Sequence, residues 1–161
     1  LTRTGAGGDI ITTGEYGSFE LELEWQVAPG GNSGVMYRVT EDGEYSYYSG
    51  PEMQILDDAA HADGLNRLTA AGSCYGLYAA PAGAVKPAGE WNAVRIVVCG
   101  SQVEHWLNGV RVVAYELGSE PVKAAIARSK FRSIADFGND SRVEILTAPR
   151  SDYAELPRPN R

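Results

Sequence analysis

Strand-like stretches in which apolar and polar residues alternate with a period of two dominate this chain, and no stretch sustains a helical period over three turns. The chain reads as all-β. Phe19-Glu20-Leu21-Glu22-Leu23-Glu24-Trp25 is the cleanest run: Phe19, Leu21, Leu23 and Trp25 share a core face, and the intervening glutamates face water. Ala28 to Gly34 is a glycine-rich loop suited to positive φ angles. It feeds a strand that sets Val35, Tyr37 and Val39 on one face and Met36 and Arg38 on the other. Farther on, Ala93 to Cys99, Val103 to Leu107 and Val110 to Tyr115 form a meander, and Asn108-Gly109 predicts a type I′ hairpin turn between the last two. A short helical turn fits between Ala124 and Phe137, and Arg142 to Leu146 reads as a last strand. The end from Leu156 is expected to be unordered unless docked.

Gly50-Pro51-Glu52-Met53-Gln54-Ile55-Leu56-Asp57 departs from this scheme, because polar groups stand where a core strand should be apolar. Alternation places Glu52, Gln54 and Leu56 on one face and Met53, Ile55 and Asp57 on the other. A carboxylate beside a carboxamide on a sheet face suits holding sugar hydroxyls, taking a proton or helping to ligate a cation. The same pattern suits an edge strand with a solvated polar face. Arg38 could pair with Glu52 or grip a ligand oxygen, or it is an exposed strand arginine. Tyr45, Tyr47 and Tyr48 lead into this strand, where aromatics suit sugar stacking or packing on a sandwich edge.

Two histidines carry the remaining candidate chemistry. His105 shares a face with Val103 and Leu107, so it is either a satisfied structural residue or, should that face meet the Glu52 face, half of an acid/base pair or of a metal site. His61 and Asp63 lie in a long irregular segment, Ala59 to Lys86, as surface polar residues or metal ligands.

The 161 residues suffice for a core without staples, and a net charge of −7 leaves no basic run to neutralise phosphates, so nucleic acid is not an expected partner. No apolar run approaches the length of a membrane span. Cys74 and Cys99 lack metal-ligand spacing and are expected as free, buried thiols, with a disulfide as the alternative, Cys99 lying within an apolar strand. Sheet edges could be covered by another chain, and the oligomeric state is left open.

Six stretches in order carry a family resemblance: Gly8 to Thr12, Tyr16 to Trp25, Gly31 to Val35, Gly50 to Asp57, Lys86 to Asn92 and Glu104 to Gly109. Together they resemble the 3-keto-disaccharide hydrolase family. The resemblance implies a concanavalin A-like lectin/glucanase jelly-roll β-sandwich of two antiparallel sheets, with a sugar substrate held on the concave sheet. It also implies hydrolysis or elimination at a glycosidic bond of a sugar oxidised at carbon three, and a secreted or periplasmic location. Residues 1–161 are expected to form one such domain, without the tryptophan-containing first strand usual in the family. Ser141 to Thr147 stands where members usually carry a histidine-containing stretch.

A ketone at carbon three acidifies the proton at carbon two, so this chemistry needs a base there, an electrophile at the keto oxygen and help for the leaving oxygen. The expected catalytic residues are His105 and Glu52, which are also the candidate ligands of a divalent cation. Arg38, Gln54, Tyr37, Tyr75 and, less centrally, Asp57 are the expected substrate-binding residues. His105→Ala is accordingly expected to leave the fold intact and abolish cleavage. The alternative is a non-catalytic carbohydrate-binding module using the same face.

Overall fold

The computed structural model describes residues 2–3, 9–40, 47, 49–134, 137, 144–147 and 153–154. Tyr45, Tyr48, Arg142 and the end from Leu156 lie outside the described residues. A two-stranded ribbon pairs β1 (Thr2–Arg3) with β10 (Tyr153–Ala154). One four-stranded sheet orders β2 (Ile10–Ile11), β9 (Glu144–Thr147), β4 (Asn32–Val39) and β5 (Glu52–Leu56). The other orders β3 (Phe19–Trp25), β6 (Asn92–Cys99), β7 (Gln102–Leu107) and β8 (Val110–Glu116). Every described pairing is antiparallel, so the expected two-sheet architecture is present.

The second sheet follows its sequence pattern closely. Along β3 the apolar positions turn inward and the glutamates outward, and Arg95 on β6 pairs with Glu20 across the outer face. Asn108 and Gly109 both take positive φ, 51° and 80°, as a type I′ turn requires. Cys74 is buried and Cys99 exposed, both as free thiols. Cys99 departs from its expected burial because alternation along β6 sets it with Ala93, Arg95 and Val97 on the outer face, opposite Val94, Ile96 and Val98.

On β4 the expected alternation holds for Val35 and Tyr37 and then breaks. Arg38 sits at φ 56°, where the register against β9 shifts, and this bulge reverses the parity, so Val39 packs with Met36 instead of Tyr37. Gly50 faces the Tyr37 and Arg38 carbonyls so closely that a Cβ there would collide with both.

The only α-helix among the described residues, α1 (Glu120–Arg128), starts earlier than expected. Ser119 caps it, accepting from the Val122 N–H, and a proline occupies its first turn. A 3-10 turn, Lys130–Ser133, follows directly.

The core lies between the sheets, and a polar chain runs through it. His105 Nδ1 lies 3.2 Å from the Gly72 carbonyl, which can only accept, so the proton is on Nδ1. Nε2 is then an acceptor, and the Tyr37 hydroxyl donates to it at 2.6 Å. Tyr115 lies 2.7 Å from Tyr37, and the Cys74 thiol donates to Tyr115 at 3.8 Å. His105 is wholly buried, and desolvation lowers its pKa to about 4.

These contacts reverse the expected outcome for His105→Ala. The change opens a cavity and removes the acceptor of the Tyr37 hydroxyl proton, leaving that hydroxyl to Tyr115, so a loss of about 2–4 kcal/mol is expected in urea unfolding at pH 7. Acid should act through the same group. The unfolded chain protonates His105 near 6.5 and the folded chain only near 4, so stability held by the neutral ring is complete above 6.5 and lost as pH falls towards 4. Wild type should lose on the order of 3 kcal/mol across that window, and His105→Gln should flatten this part of the profile.

Candidate active site

β5 divides the molecule's chemistry between its two faces. Met53 and Ile55 enter the core, while Glu52 and Gln54 point away from it, across from Met36 and Gly34 on β4. Gly34 is what admits the carboxyl: a Cβ there would collide with Glu52 Oε1. Half-buried beside Met36, Glu52 loses hydration, and this pushes its carboxyl up to about 7. Lys130 opposes the shift, and the negative charges of Asp9 and Asp63 add to it.

A polar track leads away from Glu52 along this face. The Gln54 carboxamide faces two acceptors, Glu52 Oε1 at 3.3 Å and the Ser33 carbonyl at 2.9 Å, which assigns its nitrogen to that side. Its other end is 3.4 Å from the Asn32 carboxamide, which lies 3.4 Å from His61 Nε2. His61 Nδ1 accepts from the Asp63 backbone N–H at 3.1 Å, so a neutral His61 carries its proton on Nε2 and donates to Asn32. Asn32 then presents its oxygen to His61 and its NH2 to Gln54, and the track is directional, ending on the Glu52 carboxylate.

The segment after the Ala62–Leu65 turn closes the site. Its backbone extends the sheet past β5, with Gly72 donating to Gln54, Gln54 to Ser73 and Tyr75 to Glu52. Cys74 points into the core, while the Tyr75 hydroxyl donates to Asp63 Oδ2 at 3.3 Å. Over the Tyr75 ring, 4.3 Å from its centroid, stands the Lys130 ammonium.

Gln54 and Tyr75 thus join Glu52 as expected, and the other expected site residues do not. His105 and Tyr37 bond each other inside the sandwich, on the core side, and both ring nitrogens of His105 already have protein partners. The pair His105 and Glu52 therefore does not fit a shared proton-transfer or metal site. Among the described residues no three His, Cys, Asp or Glu side chains gather as metal ligands. Arg38 is buried and donates to the Gly17 and Gly100 carbonyls at 2.8 and 2.7 Å, tying the two sheets together without reaching Glu52. Asp57 holds a turn: its carboxylate accepts from the Gly30 and Ala59 N–H groups, and these bonds keep its pKa low.

Asn32, His61, Asp63 and Lys130 complete the site. Of these, His61 and Asp63 stood out in the sequence as surface polar residues or metal ligands of a long irregular segment, and nothing local marked Lys130.

A half-buried carboxyl that titrates near 7 costs stability once ionised. Folded Glu52 keeps its proton to about 7 and the unfolded chain releases it near 4.5, so this contribution is complete below 4.5 and lost as pH rises to 7. Glu52→Gln should therefore gain roughly 1–3 kcal/mol over wild type in urea unfolding at pH 8, and little at pH 4.5.

The chain as a whole is similar to known proteins. The chain is 37% identical over 142 residues to a 3-keto-disaccharide hydrolase of Bacteroides thetaiotaomicron, a match covering 80% of this chain and 49% of that protein. It thus spans about half the length of that curated relative. Two crystal structures from Parabacteroides distasonis, each carrying a provisional glycosyl hydrolase name, superimpose well. One has a TM-score of 0.80 at 29% identity, covering 89% of this chain and 70% of that one. The other has a TM-score of 0.72 at 27% identity, covering 91% and 78%. Residues 1–141 match the model of the 3-keto-alpha-glucoside-1,2-lyase-like domain, and the chain belongs to that family.

Proposed function

We propose that this protein cleaves the glycosidic bond of 3-keto-glycosides by carbonyl-assisted elimination, with Glu52 as the acid/base. The observation that carries this reading is the Glu52 carboxyl: withdrawn from water, poised near 7, and set on a polar sheet face outside the core. Proton transfer is most efficient from a group whose pKa lies near the working pH. A ketone at carbon three makes the carbon-two proton acidic enough for such a carboxylate to take. Loss of that proton lets the carbon-one oxygen leave, and water adding to the resulting double bond would complete a hydrolysis.

Asn32 and the Tyr75 hydroxyl present donors and acceptors near Glu52 and would orient the sugar's hydroxyls, while Gln54, itself buried, would hold the Glu52 carboxyl in place. Tyr75, held by Asp63, also offers a ring edge against the sugar. Glu52 replaces His105 as the base because a proton donor or acceptor must reach the substrate, and His105 is enclosed.

The test is release of the leaving group from a chromogenic 3-keto-glucoside. Wild type should turn over, with kcat/KM rising with pH through about 7 as Glu52 ionises. Glu52→Gln should lose roughly 10²- to 10⁴-fold. A folded protein that binds the sugar without releasing the group would make this face a carbohydrate-binding module instead. A parallel chelator arm decides the metal: a rate lost to chelator and restored by a divalent cation assigns one to the reaction.

A further inference from the structure

Lys130 is held beside Tyr75 by a turn anchored in the core. It opens the 3-10 turn that follows α1. Ser129 locks that turn, its hydroxyl accepting from the Phe131 N–H at 3.0 Å and donating to the Ile126 carbonyl at 2.8 Å. Phe131 is buried, stacked on Phe137 with centroids 4.3 Å apart and packed against Gly76. With its neighbour anchored, Lys130 projects outward over Tyr75, with the Tyr47 ring 5.8 Å away. Aromatic faces hold a cation without neutralising it. Among the described residues no carboxylate closes an ion pair with Lys130. Tyr75, whose backbone N–H donates to the Glu52 carbonyl, carries the Lys130 ammonium on its ring, and from there the cation favours the ionised Glu52 carboxyl through space without an ion pair between them.

We propose that Lys130 is a catalytic residue, its ammonium receiving the negative charge that forms on the carbon-three oxygen as Glu52 removes the carbon-two proton. This rests on the function proposed for Glu52. The Glu52 carboxylate takes the proton, the carbon–hydrogen electron pair forms the double bond between carbons two and three, and the carbonyl pair moves onto oxygen three beside Lys130. That oxygen then re-forms its carbonyl, the double bond shifts to carbons one and two, and the bond from carbon one to the leaving oxygen breaks. The leaving oxygen departs with its electron pair and takes the proton from Glu52. The products are an enone and an alcohol, with no net proton or electron consumed. A fixed cation at a developing oxyanion stabilises the transition state more than the neutral ketone, so its removal lowers kcat more than binding.

Lys130→Met keeps the aliphatic stem on Tyr75 and removes the charge, whereas Lys130→Arg keeps the charge. With a chromogenic 3-keto-glucoside, Lys130→Met should lower kcat roughly 10²- to 10³-fold with KM within about threefold of wild type. Lys130→Arg should recover at least about a tenth of the activity. Of the groups facing Glu52, Lys130 lowers its pKa while Asp9 and Asp63 raise it, so Lys130→Met should also move the ascending limb of the pH–rate profile upward. A Lys130→Met enzyme within about threefold of wild-type kcat overturns the assignment, and so do equal losses in both variants with an unmoved pH limb. Wild type that releases nothing overturns the Glu52 reading itself, an outcome distinct from an active wild type matched by Lys130→Met.

Discussion

A hydrogen-bonded contact across the core sets the geometry on which the rest depends. Tyr37 comes from one sheet, His105 and Tyr115 from the other, and the Gly72 carbonyl fixes the imidazole from the segment beside β5. Apolar packing would let the sheets slide, because hydrophobic burial has no direction. A buried hydroxyl or imidazole does not tolerate sliding, since each donor left unpaired in a dry core costs about 1–3 kcal/mol. The chain thereby fixes where β4 and β5 stand against the other sheet, and where residues 72–75 extend the edge. Arg38, the next residue along β4, reinforces the arrangement, reaching the Gly17 and Gly100 carbonyls from its bulge.

Once β5 is fixed, its two faces take different tasks. Met53 and Ile55 anchor it in the core, which holds Glu52 and Gln54 on the other face against a neighbouring strand that has no side chain at Gly34. The side anchored in the core positions the polar side. The position carries a cost, because a carboxyl withdrawn from water and facing Asp9 and Asp63 holds its proton far above the usual range. Stability and the proposed proton transfer therefore pull in opposite directions at Glu52, as is common where a site is built on a scaffold.

Where the sequence reading and the structure part, the reason is which face of a sheet meets what. His105 does share a face with Val103 and Leu107, but that face is the interior of the sandwich, and the Glu52 face lies on the outside of the opposite sheet. Strand alternation ranks residues by side and carries no information on which side will be covered. Arg38 was placed on the face opposite Tyr37, and a bulge, invisible in composition, redirected it. Asp57 ended a strand pattern and became the acceptor for a turn. Lys130 follows a short helix and lies 78 positions from Glu52 in the chain, so no local pattern could join them.

The sequence by itself determined the all-β class, the β6–β8 meander with its Asn-Gly turn, the inward faces of β3 and the importance of the Glu52 strand, and its motifs carried the family. These are local or short-range properties: a period of two, a turn that demands positive φ, a proline or glycine at a boundary. Only the tertiary structure decided that His105 is a core residue, that Gly34 makes room for a carboxylate, and that Asn32, His61, Tyr75 and Lys130 gather around it. Those facts depend on the packing of one sheet on another and on the path of the loop after β5, and such contacts join residues far apart in the chain.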